Sequence, residues 1–386
     1  MNGQLTFLRE RGFDITVIAA PSESLDVVRE REQVQTIPIP IEREISPLAD
    51  VRTLTKLCKI FRKLRPDIVN AGTPKAGLLG MIAAKLTGVP VRLYTLRGLR
   101  LETTSGFKER LLASTERLAA SCAQQVLCVG ESLRQEYVRR QLARPDKTIV
   151  LRHGSSNGVN AERFQYSREQ WIQMGQLRES LNIPAEAPVI GFVGRLTRDK
   201  GLVDLHDAFQ RLLVEFPELR LVLIGWPEEG DPIPPTIWQR LVEHPQIIRT
   251  GAIKDVSLYY GLFDVFVFPS YREGFPNVPM EAAAAGVPVV GYSATGTLDA
   301  VANGVTGTLV PLHDSAMLAA ATACYLRNPL LRRRHGEAGR QRVLTDFRRE
   351  DLWQSLADLY GQWLSERGLP FPNSVAQPTV SLRRVA

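Results

Sequence analysis

Short runs rich in β-branched and aromatic residues alternate with longer stretches of helical periodicity along most of the chain, and this alternation restricts the fold more than any other feature. Repeated strand-helix units are resolved by a parallel sheet with helices packed over its faces. Strands are expected at 14–20 (DITVIAA), 67–71 (DIVNA), 90–96 (PVRLYTL) and 125–130 (QVLCVG), with helices near 48–66, 74–87 and 105–123. A second series follows at 188–194 (PVIGFVG), 219–225 (LRLVLIG), 246–251, 263–268 (FDVFVF), 287–291 and 306–310. A chain of 386 residues exceeds the roughly 250–300 residues that one core sustains, so two doubly wound α/β domains are expected. Their boundaries fall at 1–165 and 166–368, with a hinge in the segment 160–187 that ends in NIPAEAP, and 369–386 read as a flexible tail. The first readable element is a helix, GQLTFLRERG. The strand that opens such a domain, with its following loop, is therefore expected upstream of Met1.

Charge separates the two halves: residues 1–160 hold 25 Lys and Arg against 16 Asp and Glu, a net +9, and the remainder holds 23 against 25, a net −2. A basic first half suits an anionic membrane surface or a phosphorylated acceptor. Nucleic acid is set aside for want of any recognisable binding motif. No apolar run approaches the roughly 18 residues needed to span a bilayer, and the first residues lack a signal peptide's apolar segment, so a cytoplasmic location is expected. Cys58, Cys122, Cys128 and Cys324 lack metal or disulfide spacing and read as reduced, mostly buried thiols. His206, His244, His313 and His335 read as solvated or capping side chains; only His153 lies near an expected cleft.

Two segments carry the chemistry. The first, Gly191-Phe192-Val193-Gly194-Arg195-Leu196-Thr197-Arg198-Asp199-Lys200-Gly201, leaves an apolar strand and opens onto the helix LVDLHDAFQRLL. Ligands of open α/β sheets bind outside the carboxyl ends of strands, where glycine permits close backbone approach and Arg and Lys suit phosphate oxygens. Taken alone the segment reads equally well as a solvated loop. The second runs from Pro269 through Glu273, Gly274, Phe275, Pro276 and Asn277 to Glu281, from the end of FDVFVF into the helix MEAAAAG. Its turn can offer backbone N–H groups to an anion at a helix N-terminus, and its two glutamates can accept hydrogen bonds from sugar hydroxyls. On their own, Glu281 reads as a first-turn partner of the helix dipole and Glu273 as a solvated loop residue.

Taken together, Gly194-Arg195-Leu196-x-x-x-Lys200-Gly201 and Glu273-Gly274-Phe275-Pro276-x-x-x-x-Glu281-Ala282 resemble the retaining glycosyltransferases of family four, whose paired-glutamate motif has the same seven intervening residues. Similarity to bacterial capsular and exopolysaccharide members continues through TPKAGLLG, RGLRLET, GSSNGVN and the terminal helix DLWQSLADLYGQWL. The resemblance implies the GT-B fold, two Rossmann-like domains facing an interdomain cleft, with the terminal helix crossing back. It implies hexosyl transfer from a nucleoside diphosphate sugar, with uridine as base, to a polyprenyl-diphosphate-linked saccharide at the inner membrane. Arg195 and Lys200 then bind the donor diphosphate, Glu281 the ribose, and Glu273 with the Gly274–Phe275 backbone the sugar. The backbone at Ala252 and Ile253 reads the nucleobase. No D-x-D occurs, so metal-independent transfer without a cofactor is expected, the cations and a helix terminus neutralising the leaving group.

In the first domain Thr73, Lys75, Arg97 and Arg100 resemble an acceptor-side site for a pyrophosphate, and read otherwise as solvated loop cations. Many relatives place histidines at Asn70-Ala71-Gly72 and at Arg97, a departure that leaves the catalytic groups of this domain open. Other readings of the same pattern are an inactive nucleotide-sugar-binding partner, or an epimerase or phosphorylase on the same fold. GFVG is not G-x-G-x-x-G, which argues against a nicotinamide dehydrogenase.

Overall fold

A computed structural model describes residues 3–42 and 46–370. The chain divides into two compact units, one holding the residues up to Asn157 together with those from Arg349 onward, the other Gly158–Arg348. The boundary read at 165/166 thus lies inside the second unit, because Phe164 packs edge-on against Tyr260 at 5.7 Å and cannot leave that core. The helix Arg349–Ser365 belongs to the first unit. Beyond Pro370 the expected tail lies outside the described residues.

The first unit contains β1 (Thr16–Ala19), β2 (Gln35–Pro38), β3 (Ile68–Ala71), β4 (Val91–Leu96), β5 (Gln125–Cys128) and β6 (Thr148–Ile149). Among the described residues these form two parallel sheets, β1-β2 and β3-β4-β5-β6. Helices Pro47–Leu64, Pro74–Leu86 and Gly106–Cys122 pack side by side. Leu352, Leu356 and Tyr360 of the terminal helix join Leu93 and Leu127 of the four-stranded sheet in one apolar cluster. Phe7 and Phe13 reach the same helix, meeting Trp353 at 5.5 Å and Tyr360 at 5.9 Å. Glu32, fully buried, accepts the Gly3 and Thr6 amides at 2.9 and 3.1 Å and so caps the helix Gln4–Arg9. Burial raises its pKa, but these bonds and those from Arg31 and the Thr6 hydroxyl outweigh it and hold the carboxyl below the usual range.

The second unit contains β7 (Val189–Val193), β8 (Arg220–Ile224), β9 (Ile247–Gly251), β10 (Val265–Phe268), β11 (Val289–Tyr292) and β12 (Gly307–Val310) in one parallel sheet of order β12-β11-β10-β7-β8-β9. Every residue of β7, β10 and β11 is buried, as expected of strands covered on both faces. Leu202, Leu205, Phe209 and Leu212 line one face of the helix Leu202–Leu213 and enter the same core. His206 and His335, read from sequence as solvated or capping, are buried here, and burial lowers both pKa values. The pattern gave no warning, because both lie on helices whose inward face can be assigned only once the neighbours are known.

Candidate functional site

Strand order fixes where a ligand can enter the second sheet. From β7 the chain builds outward through β8 and β9, then returns to the other side of β7 for β10, β11 and β12. The reversal lies between β7 and β10, and loops leaving their carboxyl ends diverge there to open a crevice. Those loops are residues 194–201 and 269–276, the two segments singled out in the sequence. Residues 225–234, after β8, form a third beside them.

Glycines let the loops approach closely. Gly225, at φ +146°, lies so near the Gly194 carbonyl that a Cβ would stand 1.8 Å from its oxygen. Gly201, at φ +73°, precedes the helix Leu202–Leu213 and would place a Cβ 2.0 Å from the Pro269 carbonyl oxygen. Main-chain bonds complete the assembly: the Leu196 amide donates to Trp226 O at 2.8 Å and the Tyr271 amide to Asp199 O at 3.0 Å.

The side chains interlock across the loops. Lys200 Nζ meets Glu273 Oε1, which also accepts from the buried Ser270 hydroxyl at 2.8 Å. Arg195 meets Glu228. Arg272 Nη2 lies 3.0 Å from Asp199 Oδ2, and Arg198 Nε 3.3 Å from Asp231 Oδ1. Burial raises the Asp199 pKa, but the Thr197 hydroxyl and the charges of Lys200, Arg272 and Arg195 outweigh it and hold the carboxyl below its usual range. Ser270 and Arg272 lie in the second sequence segment without a role of their own there, and Glu228 and Asp231 lie outside both segments. The signal that could have found the acidic pair is GWPEEGD directly after the run LRLVLI, since loops following adjacent parallel strands emerge on one edge.

Glu281 lies in the second turn of its helix rather than the first. The helix begins at Asn277, earlier than MEAAAAG suggested, because Pro279 is accommodated within the opening turn, where its missing N–H breaks no helical bond. Glu281 Oε2 accepts the hydroxyl of fully buried Tyr260 at 3.0 Å, and burial raises the carboxyl pKa against that bond. Gly274, Phe275 and Pro276 are buried, Phe275 packing against Phe347 at 5.5 Å, so their backbone is what this turn can offer a ligand; Asn277 is exposed. Ile253, half-buried, follows β9, two strands from β7.

In the first unit β3 and β4 are neighbours, which sets Thr73 and Lys75 beside Arg97 and Arg100 along one sheet edge. Lys75 Nζ lies 2.7 Å from Asp50 Oδ1 and is thus a paired group rather than a solvated cation. Arg97 donates to Ser156 O at 3.3 Å, and Thr73 and Arg100 are exposed. Asn70 donates to Tyr360 Oη at 2.7 Å and accepts the Thr95 hydroxyl at 2.7 Å. Burial pushes the Tyr360 pKa up to about 12.

Known proteins align with both units. Residues 173–342 match the model described as "Glycosyl transferases group 1", and residues 4–154 that described as "Glycosyl transferase 4-like domain". The capsular polysaccharide biosynthesis glycosyltransferase CapM of Staphylococcus aureus is 36% identical over 366 residues, covering 95% of this chain and 94% of the relative. An Escherichia coli enzyme named UDP-Gal:alpha-D-GlcNAc-diphosphoundecaprenol alpha-1,3-galactosyltransferase is 28% identical over 316 residues, 81% of this chain and 79% of that one. Among solved structures, HepE of Anabaena in complex with UDP-glucose superposes with a TM-score of 0.77 at 20% identity, over 93% of this chain and 96% of the other. Sucrose-phosphate synthase of Thermosynechococcus elongatus gives 0.78 at 23%, over 94% and 92%.

Proposed function

The chain belongs to the group 1 glycosyltransferases, family four with the GT-B fold, and is a glycosyltransferase; on that premise we propose that it moves a hexose or N-acetylhexosamine, with retention, from a UDP-sugar to a polyprenyl-diphosphate-linked saccharide in polysaccharide biosynthesis. The observation that carries this reading is the convergence of Arg195, Lys200 and Glu273 at the strand-order reversal, with Glu281 on the helix that follows. Arg195 and Lys200 hold the diphosphate and stabilise the charge that builds on it as the glycosidic bond breaks, in the place of a metal. Glu273 and the backbone of Gly274–Phe275 orient the sugar, Glu281 accepts from the ribose, and the backbone at Ile253 meets the base. The leaving phosphate takes the proton of the acceptor hydroxyl, which attacks from the same face of the sugar. The UDP-glucose complex of HepE and the substrates named for the Escherichia coli relative support this donor and acceptor class.

The acceptor's diphosphate is assigned to Thr73, Lys75, Arg97 and Arg100, and the enzyme to the cytoplasmic face of an anionic membrane. Among the described residues no helix is long and apolar enough to cross one. The helix Pro47–Leu64 supports peripheral contact, exposing Arg52, Lys56, Lys59, Arg62 and Lys63 beside Leu48 and Val51. The deciding assay pairs a panel of nucleotide sugars with a polyprenyl-diphosphate-linked acceptor in the presence of a chelator. Transfer from a UDP-sugar is expected, with Lys200→Ala lowering kcat/KM about ten- to a hundred-fold, as loss of a charged hydrogen bond implies. UDP binding without transfer across the panel, or transfer restored only by added metal, contradicts the reading.

A further inference from the structure

The loops around the crevice carry more acid than a diphosphate site calls for. Residues 194–201, 225–234 and 269–276 contribute Arg195, Arg198, Lys200 and Arg272 as cations, against Asp199, Glu228, Glu229, Asp231 and Glu273. Each of the four cations meets a carboxylate from a different loop: Arg195 with Glu228, Arg198 with Asp231, Lys200 with Glu273 and Arg272 with Asp199. A phosphate oxygen that takes the Arg195 Nη1 donor competes with Glu228 for it, and the carboxylate's charge opposes an anion at the remaining N–H groups.

Carboxylates of this set also brace the loops. Asp199 accepts the Thr197 hydroxyl at 2.6 Å, Asp231 the Asp199 amide at 2.6 Å, and Glu273 the Ser270 hydroxyl at 2.8 Å. Glu228 stands on the loop after β8. Its loop is fastened to the β7 loop on one side by the Leu196 amide on Trp226 O and on the other by Asp231, and Glu228 lies between the two fastenings with its side chain on Arg195. The pair is open to solvent, at 42% and 27% side-chain exposure, whereas Lys200 and Glu273 are each 14% exposed.

We propose that Glu228 is a resident counter-anion of Arg195 which the donor diphosphate displaces, so that this carboxylate lowers donor affinity and leaves that of an uncharged nucleoside unchanged. A diphosphate offers several charged oxygens to the guanidinium fork and outcompetes one carboxylate; a neutral nucleoside does not engage Arg195 and leaves the pair intact. The inference rests on the reading of Arg195 as a diphosphate ligand.

Calorimetric titration of the full chain with UDP and with uridine tests it, using Glu228→Gln, Arg195→Gln, the double variant, and Glu229→Gln as a control for net charge. Glu228→Gln is expected to bind UDP roughly five-fold more tightly at low salt, the scale of an exposed ion pair. Uridine affinity should stay unchanged, the gain should shrink as salt rises, and it should vanish when Arg195 is also replaced. Unchanged or weaker UDP binding by Glu228→Gln, with Arg195→Gln still impaired, overturns the proposal and makes Glu228 an orienting partner of Arg195. An equal gain in Glu229→Gln overturns it in favour of general repulsion. Wild-type UDP affinity in Arg195→Gln removes the diphosphate assignment and this inference with it.

Discussion

Both units follow one strand-helix plan, yet among the described residues only the second carries its strands in a single sheet with a reversal of order. β7 to β12 run continuously, β7 and β10 are neighbours, and their loops diverge at the point where the sequence motifs lie. In the first unit β3 to β6 follow one another in simple order, and β1 pairs with β2 in a separate sheet. No reversal opens a crevice within the four-stranded sheet. Net positive charge lies in the first half of the chain, whereas the interlocked cations occupy the second. Strand order, more than net charge, decides where the interlocked loops lie.

Glycine substitutions test that contrast with the largest expected effect. Gly225→Ala places a methyl against the Gly194 carbonyl at a position of φ +146°, and strain plus overpacking should cost about 3–5 kcal/mol. Gly88→Ala, at φ +74° with nothing within 4 Å, should cost only about 1–2 kcal/mol. Urea denaturation of both variants checks this, and equal losses would break the contrast.

A smaller effect separates the cores. In the first unit Glu116 is buried, with the Tyr94 and Tyr137 hydroxyls donating to Oε2 at 3.0 and 3.2 Å, and burial pushes its pKa up to about 7. The folded chain then keeps this proton to higher pH than the unfolded chain, whose carboxyl titrates near 4.5. The contribution of Glu116 to stability is therefore full below pH 4.5, falls as pH rises to about 7, and levels off above, a loss of about 3 kcal/mol from this group. Glu116→Gln keeps an acceptor for both tyrosines and should abolish that loss; denaturation at pH 5 and pH 8 reads it, and an unchanged pH slope refutes it. The smallest effect expected is that of Tyr260→Phe, which removes the hydroxyl held by Glu281 and should weaken UDP binding by about 1 kcal/mol through misplacement of the carboxylate. Equal UDP affinity in titration would detach Tyr260 from the donor site.

Sequence patterning conveyed the frame well because buried parallel strands are nearly continuous apolar runs: VIGFV and VFVF announce themselves by composition. β2 escaped notice because QTIP is only four residues long, has both ends exposed and closes on proline. The two segments at the crevice were legible through their resemblance to known transferases. Their acidic counterparts were not, since WPEEGD alone is what any solvated turn looks like, and only the strand order places it against Arg195. Tyr260 is 21 residues from Glu281, a separation that no local periodicity links.

Amide hydrogen exchange of the full chain with and without UDP tests most directly the claim that the strand-order reversal of the second sheet is the donor site. The account predicts UDP-dependent protection in residues 194–201, 225–231 and 269–281, with exchange at 73–75 and 97–100 unaltered. Protection confined to the loops after β3 and β4, with the β7 and β10 loops unchanged, would contradict it.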